Sequence, residues 1–358
     1  MKEENYNQPI DADAIRADAE AMLRDPGDAG DPEADGFQSL FKIQTANRWL
    51  EEASHRPAPK MLFGEFWFEG EICILFADTN VGKSILAVQI ADALSRGDRI
   101  DGIPLEATSQ KVIYYDFELS DKQFEARYSE KKPGSDFYSN PYQFDANLLR
   151  AEIDPDADIE HGFADFEDYL NFSLAHSIQT SSSKVLIIDN LTYLKNETER
   201  AKDALPLMKY LKALKSRFDL SILALAHTPK RDLSKPITRN DLQGSKMLIN
   251  FCDSSFAIGE SCKDKGLRYL KQIKVRNAEI KFDTENVYLC QIQKPDNFLH
   301  FEFLSFSSER EHLRNLSETD KSAMIATAKQ LSADGKTQRE IAYELSISLG
   351  AVNKYLRS

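Results

Sequence analysis

The sequence lacks a long apolar run, paired cysteines and an excess of basic residues. No apolar stretch approaches the roughly 20 residues that a membrane-spanning helix needs. The N-terminus is acidic and has no basic segment followed by an apolar one, so no signal peptide is predicted. The cysteines show no metal-ligand spacing and are expected to be reduced thiols. We therefore expect a cytoplasmic protein.

The negative charge is concentrated at one end of the chain. The 358 residues carry a net charge of −13. Residues 1–36 hold 11 acidic residues against 3 basic ones, so well over half of the net charge lies there. Because this segment also has little apolar periodicity, we expect a flexible acidic arm. The overall charge therefore does not exclude nucleic acid as a partner of the rest of the chain.

Changes in periodicity divide the remainder into four segments. Residues 37–59 have apolar residues at helical spacing, which predicts a helical N-terminal extension. Over residues 60–305 short apolar runs alternate with helical stretches, which is typical of an α/β domain with a mostly parallel, helix-covered sheet. Residues 306–317 are polar and predict a linker, and residues 318–358 predict a compact all-α unit.

Individual elements follow from the same patterns. Buried parallel strands are predicted at Ile72–Phe76, Val112–Tyr115, Val185–Ile188 and Ile222–Ala226. Helices are predicted at Ser84–Arg96, Phe163–His176 and about Glu199–Phe218. An antiparallel extension of the sheet is predicted at Arg268–Arg276, Val287–Ile292 and Leu299–Leu304.

A phosphate-binding loop follows the first of these strands and opens a helix. It matches the Walker A motif in the context that the motif requires, with alanine at the first position where glycine is common. Loop amides and a helix N-terminus favour phosphate, so the motif predicts ATP as the ligand. Lys83 would bridge the terminal phosphates and Ser84 would hold Mg²⁺. The predicted nucleotide-binding residues are Ala77, Asp78, Thr79, Asn80, Val81, Gly82, Lys83 and Ser84.

Carboxylates at two further strand ends complete the predicted chemistry. Asp189 ends an apolar strand in the Walker B pattern and would lie near Mg²⁺. Because the next residue is Asn190, the general base must come from elsewhere. Glu118, at the end of the strand after the phosphate-binding helix, is the preferred base, and Asp116 is the fallback. An acid in the first turn of a helix is the alternative reading of Glu118.

Together these three strands resemble the RecA family of P-loop ATPases, and more closely its hexameric RepA-type and DnaB-type replicative helicases. The resemblance covers about residues 60–305. It implies a RecA-like core, ATP with Mg²⁺, and a homo-oligomeric ring, expected to be a hexamer.

The resemblance also implies roles for three side chains outside the loop. His227 lies at the end of a strand similar to the sensor strand that reads the γ-phosphate. Lys274 and Arg276 match the Lys-x-Arg-Asn pattern whose two cations reach the γ-phosphate of a neighbouring subunit. Residues two apart on a strand share a face, so both could reach one phosphate. The alternative for His227 is a structural histidine. The alternative for Lys274 and Arg276 is a solvated strand face that Lys271 would share.

Residues 230–241 are polar, and in the RecA family this position forms a flexible loop that lines a DNA channel. Such cations would contact phosphates of single-stranded DNA without reading sequence, although no aromatic residue is interleaved for base stacking. The predicted contacts are Lys230, Arg231, Lys235, Arg239 and Lys246. Arg127, in the helix after Glu118, could stack on adenine or be a surface charge.

The C-terminal unit resembles the helix-turn-helix of sigma-region and response-regulator type. Thr337 is expected to cap its first short helix, residues 346–348 to form the turn, and residues 350–356 to form the second helix. Duplex DNA contacts would come from Gln338, Arg339, Asn353 and Lys354. A protein-docking helical module is the alternative.

The sequence therefore predicts an ATP-hydrolysing, ring-forming motor that acts on DNA, with helicase activity, in replication or mobilisation of a genetic element. Two alternatives stay open: an ATP-switched DNA-binding regulator without translocation, and a partner-coupled recombination ATPase.

Overall fold

The computed structural model describes residues 41–154, 156, 162–163, 165–194, 201–229, 231–242, 246–314, 318–345, 347 and 349–357. The chain divides into two units, residues 1–58 and 59–358. In the first unit, helix α1 (Ala46–Ser54) is capped by Thr45, and its side chains are not buried. The predicted helical extension is thus shorter than residues 37–59, because residues 41–45 are not helical. The predicted acidic arm lies outside the described residues.

The second unit alternates strands and helices. Its strands are β1 (Met61–Phe63), β2 (Trp67–Phe68), β3 (Ile72–Ala77), β4 (Val112–Asp116), β5 (Glu130–Lys131), β6 (Tyr138–Ser139), β7 (Leu148–Ala151), β8 (Val185–Asp189), β9 (Ser221–His227), β10 (Ser254–Glu260), β11 (Leu267–Lys274), β12 (Val287–Gln293) and β13 (His300–Ser307). Its helices are α2 (Lys83–Arg96), α3 (Asp121–Arg127), α4 (Phe166–Ser181), α5 (Leu191–Leu194), α6 (Ala201–Phe218), α7 (Lys246–Phe251), α8 (Glu318–Ala333), α9 (Gln338–Leu345) and α10 (Leu349–Arg357).

Nine strands form the central sheet, in the order β13-β12-β11-β10-β3-β9-β8-β4-β7. The strands from β10 to β7 run parallel, and β11, β12 and β13 continue the sheet antiparallel. This confirms the predicted α/β fold class, with a mostly parallel, helix-covered sheet and C-terminal helices. Within the part of the chain that is described, no helix is long and apolar enough to cross a membrane.

Alternate residues of the parallel strands fill two cores, one on each face of the sheet. Cys73 and Leu75 of β3 pack with α2 on one face. Ile72 and Ile74 pack with α4 and α6 on the other. Because successive side chains of a strand point to opposite faces, a strand covered on both sides must be apolar throughout. This explains why near-continuous apolar runs predicted these strands.

Several elements differ from the sequence prediction. The helix predicted at Phe163–His176 spans Phe166–Ser181, because the Asp165 side chain accepts a hydrogen bond from the amide of Asp168 and sets its start. Strand β7 was not predicted. It has only four residues, one of them Arg150, and lies at the edge of the sheet.

The segment after β13 packs against the rest of the second unit instead of forming a free linker. Glu309 is fully buried, and its Oε2 lies 2.5 Å from the Nζ of Lys271. Its Oε1 accepts a hydrogen bond of 2.7 Å from the amide of Ile237. Lys271 also donates to the carbonyl oxygen of Ile237, at 2.8 Å. These contacts anchor residues 231–242 to β11 through Ile237, and Lys271 is buried and therefore not on a solvated strand face.

Helices α8, α9 and α10 surround a small core of Ala328, Ile341 and Val352. Thr337 caps α9 as predicted: its hydroxyl accepts from the Glu340 amide at 3.4 Å, and the Glu340 carboxylate accepts from the Thr337 amide at 2.7 Å. We refer to these three helices as the C-terminal unit.

We expect Glu309→Ala to lower the free energy of unfolding by about 3–5 kcal/mol, because it leaves the buried ammonium of Lys271 without its charge partner. Urea denaturation would measure this. The neighbouring Arg310→Ala is the control, because its ion pair with Glu285 is exposed and should contribute little. Equal effects of the two variants would show that Glu309 does not anchor this segment.

Candidate active site

The candidate site lies at the carboxyl ends of the neighbouring parallel strands β3, β9, β8 and β4. Ala77 is level with His227, and Asp116 is level with Asp189. Polar residues at the ends of four neighbouring parallel strands therefore come together although they are far apart in sequence.

The loop after β3 curls around the ammonium of Lys83. Its Nζ donates to the carbonyl oxygens of Ala77, at 2.8 Å, and Asp78, at 3.0 Å, and lies 3.2 Å from Nδ1 of His227. Gly82 has a φ of +112°, and a Cβ there would come within 2.7 Å of Ile292, so only glycine fits. Burial lowers the pKa of Lys83. The loop thus holds a cation beside the N-terminus of α2, an arrangement suited to phosphate.

Ser84 and Asp189 supply a fitting pair of ligands for Mg²⁺. The Ser84 hydroxyl lowers the pKa of the Asp189 carboxyl, and this carboxylate accepts a hydrogen bond of 2.7 Å from the Tyr114 hydroxyl. Burial raises the pKa of Asp189 to about 6. No cluster of three or more His, Cys, Asp or Glu side chains that could hold a metal occurs among the described residues. A hydroxyl and one carboxylate nevertheless suit Mg²⁺, which keeps several waters and phosphate oxygens as ligands.

Glu118 is held by two neighbours at the same end of the strands. Its Oε1 accepts a hydrogen bond from Nδ2 of Asn190 and lies 3.2 Å from Nε2 of His227. The Oδ1 of Asn190 in turn accepts from the amide of Thr192, at 3.0 Å. The hydrogen bond with His227 lowers the pKa of Glu118, against the opposing effect of burial. The carboxylate is therefore ionised at neutral pH, as a general base requires.

Asp116, the fallback base, has other partners. Its Oδ2 lies 3.0 Å from Nε of Arg150, and its Oδ1 accepts from the amides of Glu118 and Leu119, at 3.2 and 2.9 Å. Its side chain has no exposed surface. Asp116 thus fixes the turn that carries Glu118, and the geometry favours Glu118 as the base.

Three side chains support the phosphate-binding loop from outside. The Thr228 hydroxyl donates to the carboxylate of Asp78, and Nε of Arg231 lies 3.4 Å from the same carboxylate. On the other side, Nε of Arg268 donates to the carbonyl oxygen of Val81, at 2.8 Å. Arg231 was predicted to contact DNA, but its side chain is only 5% exposed and acts on the loop instead.

Lys274 and Arg276 lie toward the amino ends of the parallel strands, whereas this site lies at their carboxyl ends. The Nζ of Lys274 donates to three carbonyl oxygens at the end of α7, including that of Cys252 at 2.6 Å. Arg276 lies 3.4 Å from Asp253. In the sheet register, Lys274 of β11 lies opposite Ser255 of β10, and Ser255 lies opposite Ile74 of β3. Ile74 is three residues before the end of β3. The two cations therefore cannot reach the phosphate-binding loop of their own chain.

The remaining predicted DNA contacts are scattered. Lys235 is about half exposed and pairs with Asp232 at 3.3 Å. Arg239 is exposed in a short 3-10 turn that Thr238 caps. Lys230 lies outside the described residues, and for Lys246 only its backbone position, at the start of α7, is described.

In the C-terminal unit, the four predicted DNA contacts differ in exposure. Gln338, Arg339 and Lys354 are exposed, and Asn353 is half-buried. Arg127, the predicted adenine contact, ends α3, and its Nη1 is buried with no hydrogen-bond partner among the described residues.

Sequence reasoning missed three contacts of the site. It treated Asn190 only as a missing carboxylate, whereas its amide holds Glu118. Tyr114 has the apolar character of its strand and gave no sign that its hydroxyl reaches Asp189. Arg268 is distant in sequence and belongs to no motif, so only the strand order brings it to the loop.

The chain is similar to known proteins at the level of a family and of a solved structure. The model of a family described as AAA domain matches residues 39–232, which include the loop, Glu118, Asp189 and His227. A solved structure of a KaiC-like protein from the archaeon Pyrococcus horikoshii is similar, with 12% identity over 66% of this chain and 91% of that chain, and a TM-score of 0.41. No curated protein matches the sequence significantly.

We expect Asn190→Ala to lower the rate of ATP hydrolysis by about tenfold to a hundredfold, because Glu118 loses the contact that positions it. In a Glu118→Gln background the same change should have little further effect, since the group that Asn190 positions is already absent. Single-turnover rates of the four proteins would measure the coupling. Additive losses would contradict a role of Asn190 through Glu118.

Proposed function

We propose that this chain, which belongs to the AAA domain family and has a RecA-like P-loop ATPase core, is a ring-forming motor that hydrolyses ATP while acting on DNA. Its proposed class is that of RepA/DnaB-type helicases or helicase-like ATPases, acting in replication or mobilisation of a genetic element. The observation that carries the proposal is the convergence of Lys83, Glu118, Asp189 and His227 at the carboxyl ends of the parallel strands.

Each side chain has a distinct proposed task. Lys83 and the loop amides bind the β- and γ-phosphates, and Ser84 and Asp189 hold Mg²⁺, which neutralises phosphate charge when bound. Glu118 accepts a proton from the attacking water. His227 lies 3.2 Å from both Lys83 and Glu118, so it is suited to report whether a phosphate separates them.

Completion of the site by a neighbouring subunit is supported by the position of Lys274 and Arg276. Both lie toward the amino ends of the parallel strands, away from their own loop, where a second subunit can present its site. An arginine supplied in this way stabilises the charge of the transition state and links hydrolysis to assembly. A head-to-tail contact of this kind closes into a ring when the rotation between neighbouring subunits divides a full turn.

Only some of the predicted DNA contacts are exposed. Arg231 is not, because its side chain is buried against Asp78. Lys235 and Arg239 remain as exposed cations beside the site, and the C-terminal unit retains Gln338 and Arg339 as exposed polar groups for duplex DNA.

A second candidate function is an ATP-switched DNA-binding regulator that does not translocate. One observation favours it: the C-terminal unit and the start of the phosphate-binding loop line the same cavity. ATP turnover stimulated by single-stranded DNA, together with strand displacement on a forked duplex, would support the motor. Nucleotide-dependent duplex binding without strand displacement would support the regulator.

We expect Glu118→Gln to bind ATP normally but to hydrolyse it at least about a hundredfold more slowly, the scale typical of a general base. Steady-state phosphate release and nucleotide titration would measure the two effects. Glu125→Gln is the matched control, because this nearby glutamate only pairs with Lys122 on the surface of α3. If Asp116→Asn shows the loss and Glu118→Gln does not, the assignment of the base is wrong.

We expect Arg276→Ala and Lys83→Ala proteins to be inactive alone and to regain activity when mixed. The Arg276→Ala protein keeps an intact site but lacks the cation for its neighbour. The Lys83→Ala protein has a defective site but keeps that cation. At equal mixture about a quarter of the interfaces combine an intact site with an intact cation, so activity should approach about a quarter of the normal rate.

Phosphate release at protein concentrations that favour assembly would measure the recovery. Arg310→Ala mixed with Lys83→Ala controls for dilution of active chains. Activity that stays at the sum of the two inactive proteins would contradict a shared site.

A further inference from the structure

A cavity of about 800 Å³ adjoins the phosphate-binding loop. Asp78 and Thr79 of the loop form one wall, and the segment 231–235 forms a second. The C-terminal unit forms the third, with apolar residues of all three helices or their connections and with Lys354. The amide of Arg314 donates to the carbonyl oxygen of Leu233 at 2.9 Å, so the chain entering the C-terminal unit is fixed at this wall.

The cavity is suited to an anion. Its lining includes Arg231, Lys235, Arg314 and Lys354 against only Asp78 and Asp232. Both carboxylates already have cationic partners, since Asp78 pairs with Arg231 and Asp232 pairs with Lys235. Within the described part of the chain, neither Arg314 nor Lys354 has a carboxylate at ion-pair distance. Two cations therefore face the cavity without an acidic partner there.

The cavity also lies on the phosphate side of the site. Asp78 lines the cavity, and its carbonyl oxygen lies 3.0 Å from the Nζ of Lys83. A phosphate held by Lys83 is thus next to Asp78. Because the Walker A lysine contacts the β- and γ-phosphates, the terminal phosphate of a bound nucleotide would lie near Asp78.

We propose that Lys354, together with Arg314, binds the terminal phosphate of a nucleoside triphosphate, so that the C-terminal unit distinguishes triphosphate from diphosphate. This inference rests on the proposed function, because it assumes that ATP occupies the loop. It changes the interpretation of Lys354, which sequence reasoning assigned to duplex DNA. The helix that carries Lys354 would then be held against the core while the triphosphate is bound.

The test compares two nucleotides on the full-length chain. Isothermal titration with Mg²⁺ would give Kd values for a non-hydrolysable β,γ-imido ATP analogue and for ADP, in the wild type and in Lys354→Gln. We expect the analogue to bind about tenfold more weakly to the variant, as for loss of one charged hydrogen bond, and ADP to bind as before. Lys354→Arg should retain the wild-type preference, because it keeps the charge.

Lys329→Gln is the matched control, since Lys329 is an exposed lysine of the same unit that does not line the cavity. Its affinities for both nucleotides should equal those of the wild type. Thermal melting of each variant would establish that the C-terminal unit is folded.

The inference is overturned if Lys354→Gln binds both nucleotides as the wild type does, or if both affinities fall equally. Unchanged nucleotide affinities with weaker duplex binding would show that Lys354 contacts DNA only. These outcomes differ from failure of the proposed function, in which the wild type itself neither binds nor hydrolyses ATP.

Discussion

The contacts of the buried Lys83 ammonium, beside the end of β3, determine how the rest of the site is arranged. A buried cation must have partners, and here they are two carbonyl oxygens of the loop and the ring of His227. These contacts require the loop to fold back on itself, with Gly82 at positive φ. Thr228 and Arg268 then hold the loop from its two sides, through a side chain and a backbone carbonyl.

The strand order connects this local arrangement with two other parts of the chain, the segment after β9 and the antiparallel strands. Because β9 lies between β3 and β8, His227 stands between the phosphate-binding loop and the carboxylates of Glu118 and Asp189. A change at the phosphates can therefore reach both β9 and the segment after it. That segment carries Arg231 and lines the cavity shared with the C-terminal unit, while the antiparallel strands carry Arg276 toward the amino ends of the parallel strands.

The sequence predicted the parts of the fold in which one residue type satisfies one local requirement. Strands buried on both faces must be apolar, and a phosphate loop needs glycine and lysine in a fixed order, so β3, β8 and Lys83 were predicted from pattern alone. The partner of Glu118 was not, because an asparagine after a strand also fits a simple turn. The burial of Arg231 and Lys271 could not be foreseen either, since each depends on a carboxylate far away in sequence, Asp78 and Glu309.

We propose that one chain holds an incomplete site that a neighbour completes. Arg276 is too far from its own loop to act there, and its contact with Asp253 leaves it half exposed just after β11. Nucleotide binding should therefore favour assembly. The most direct test is the mass of the full-length chain in solution, measured by sedimentation with and without Mg²⁺ and a non-hydrolysable ATP analogue. We expect a closed multiple of the chain mass with nucleotide, and a mass that stays at one chain under saturating nucleotide would contradict a shared site.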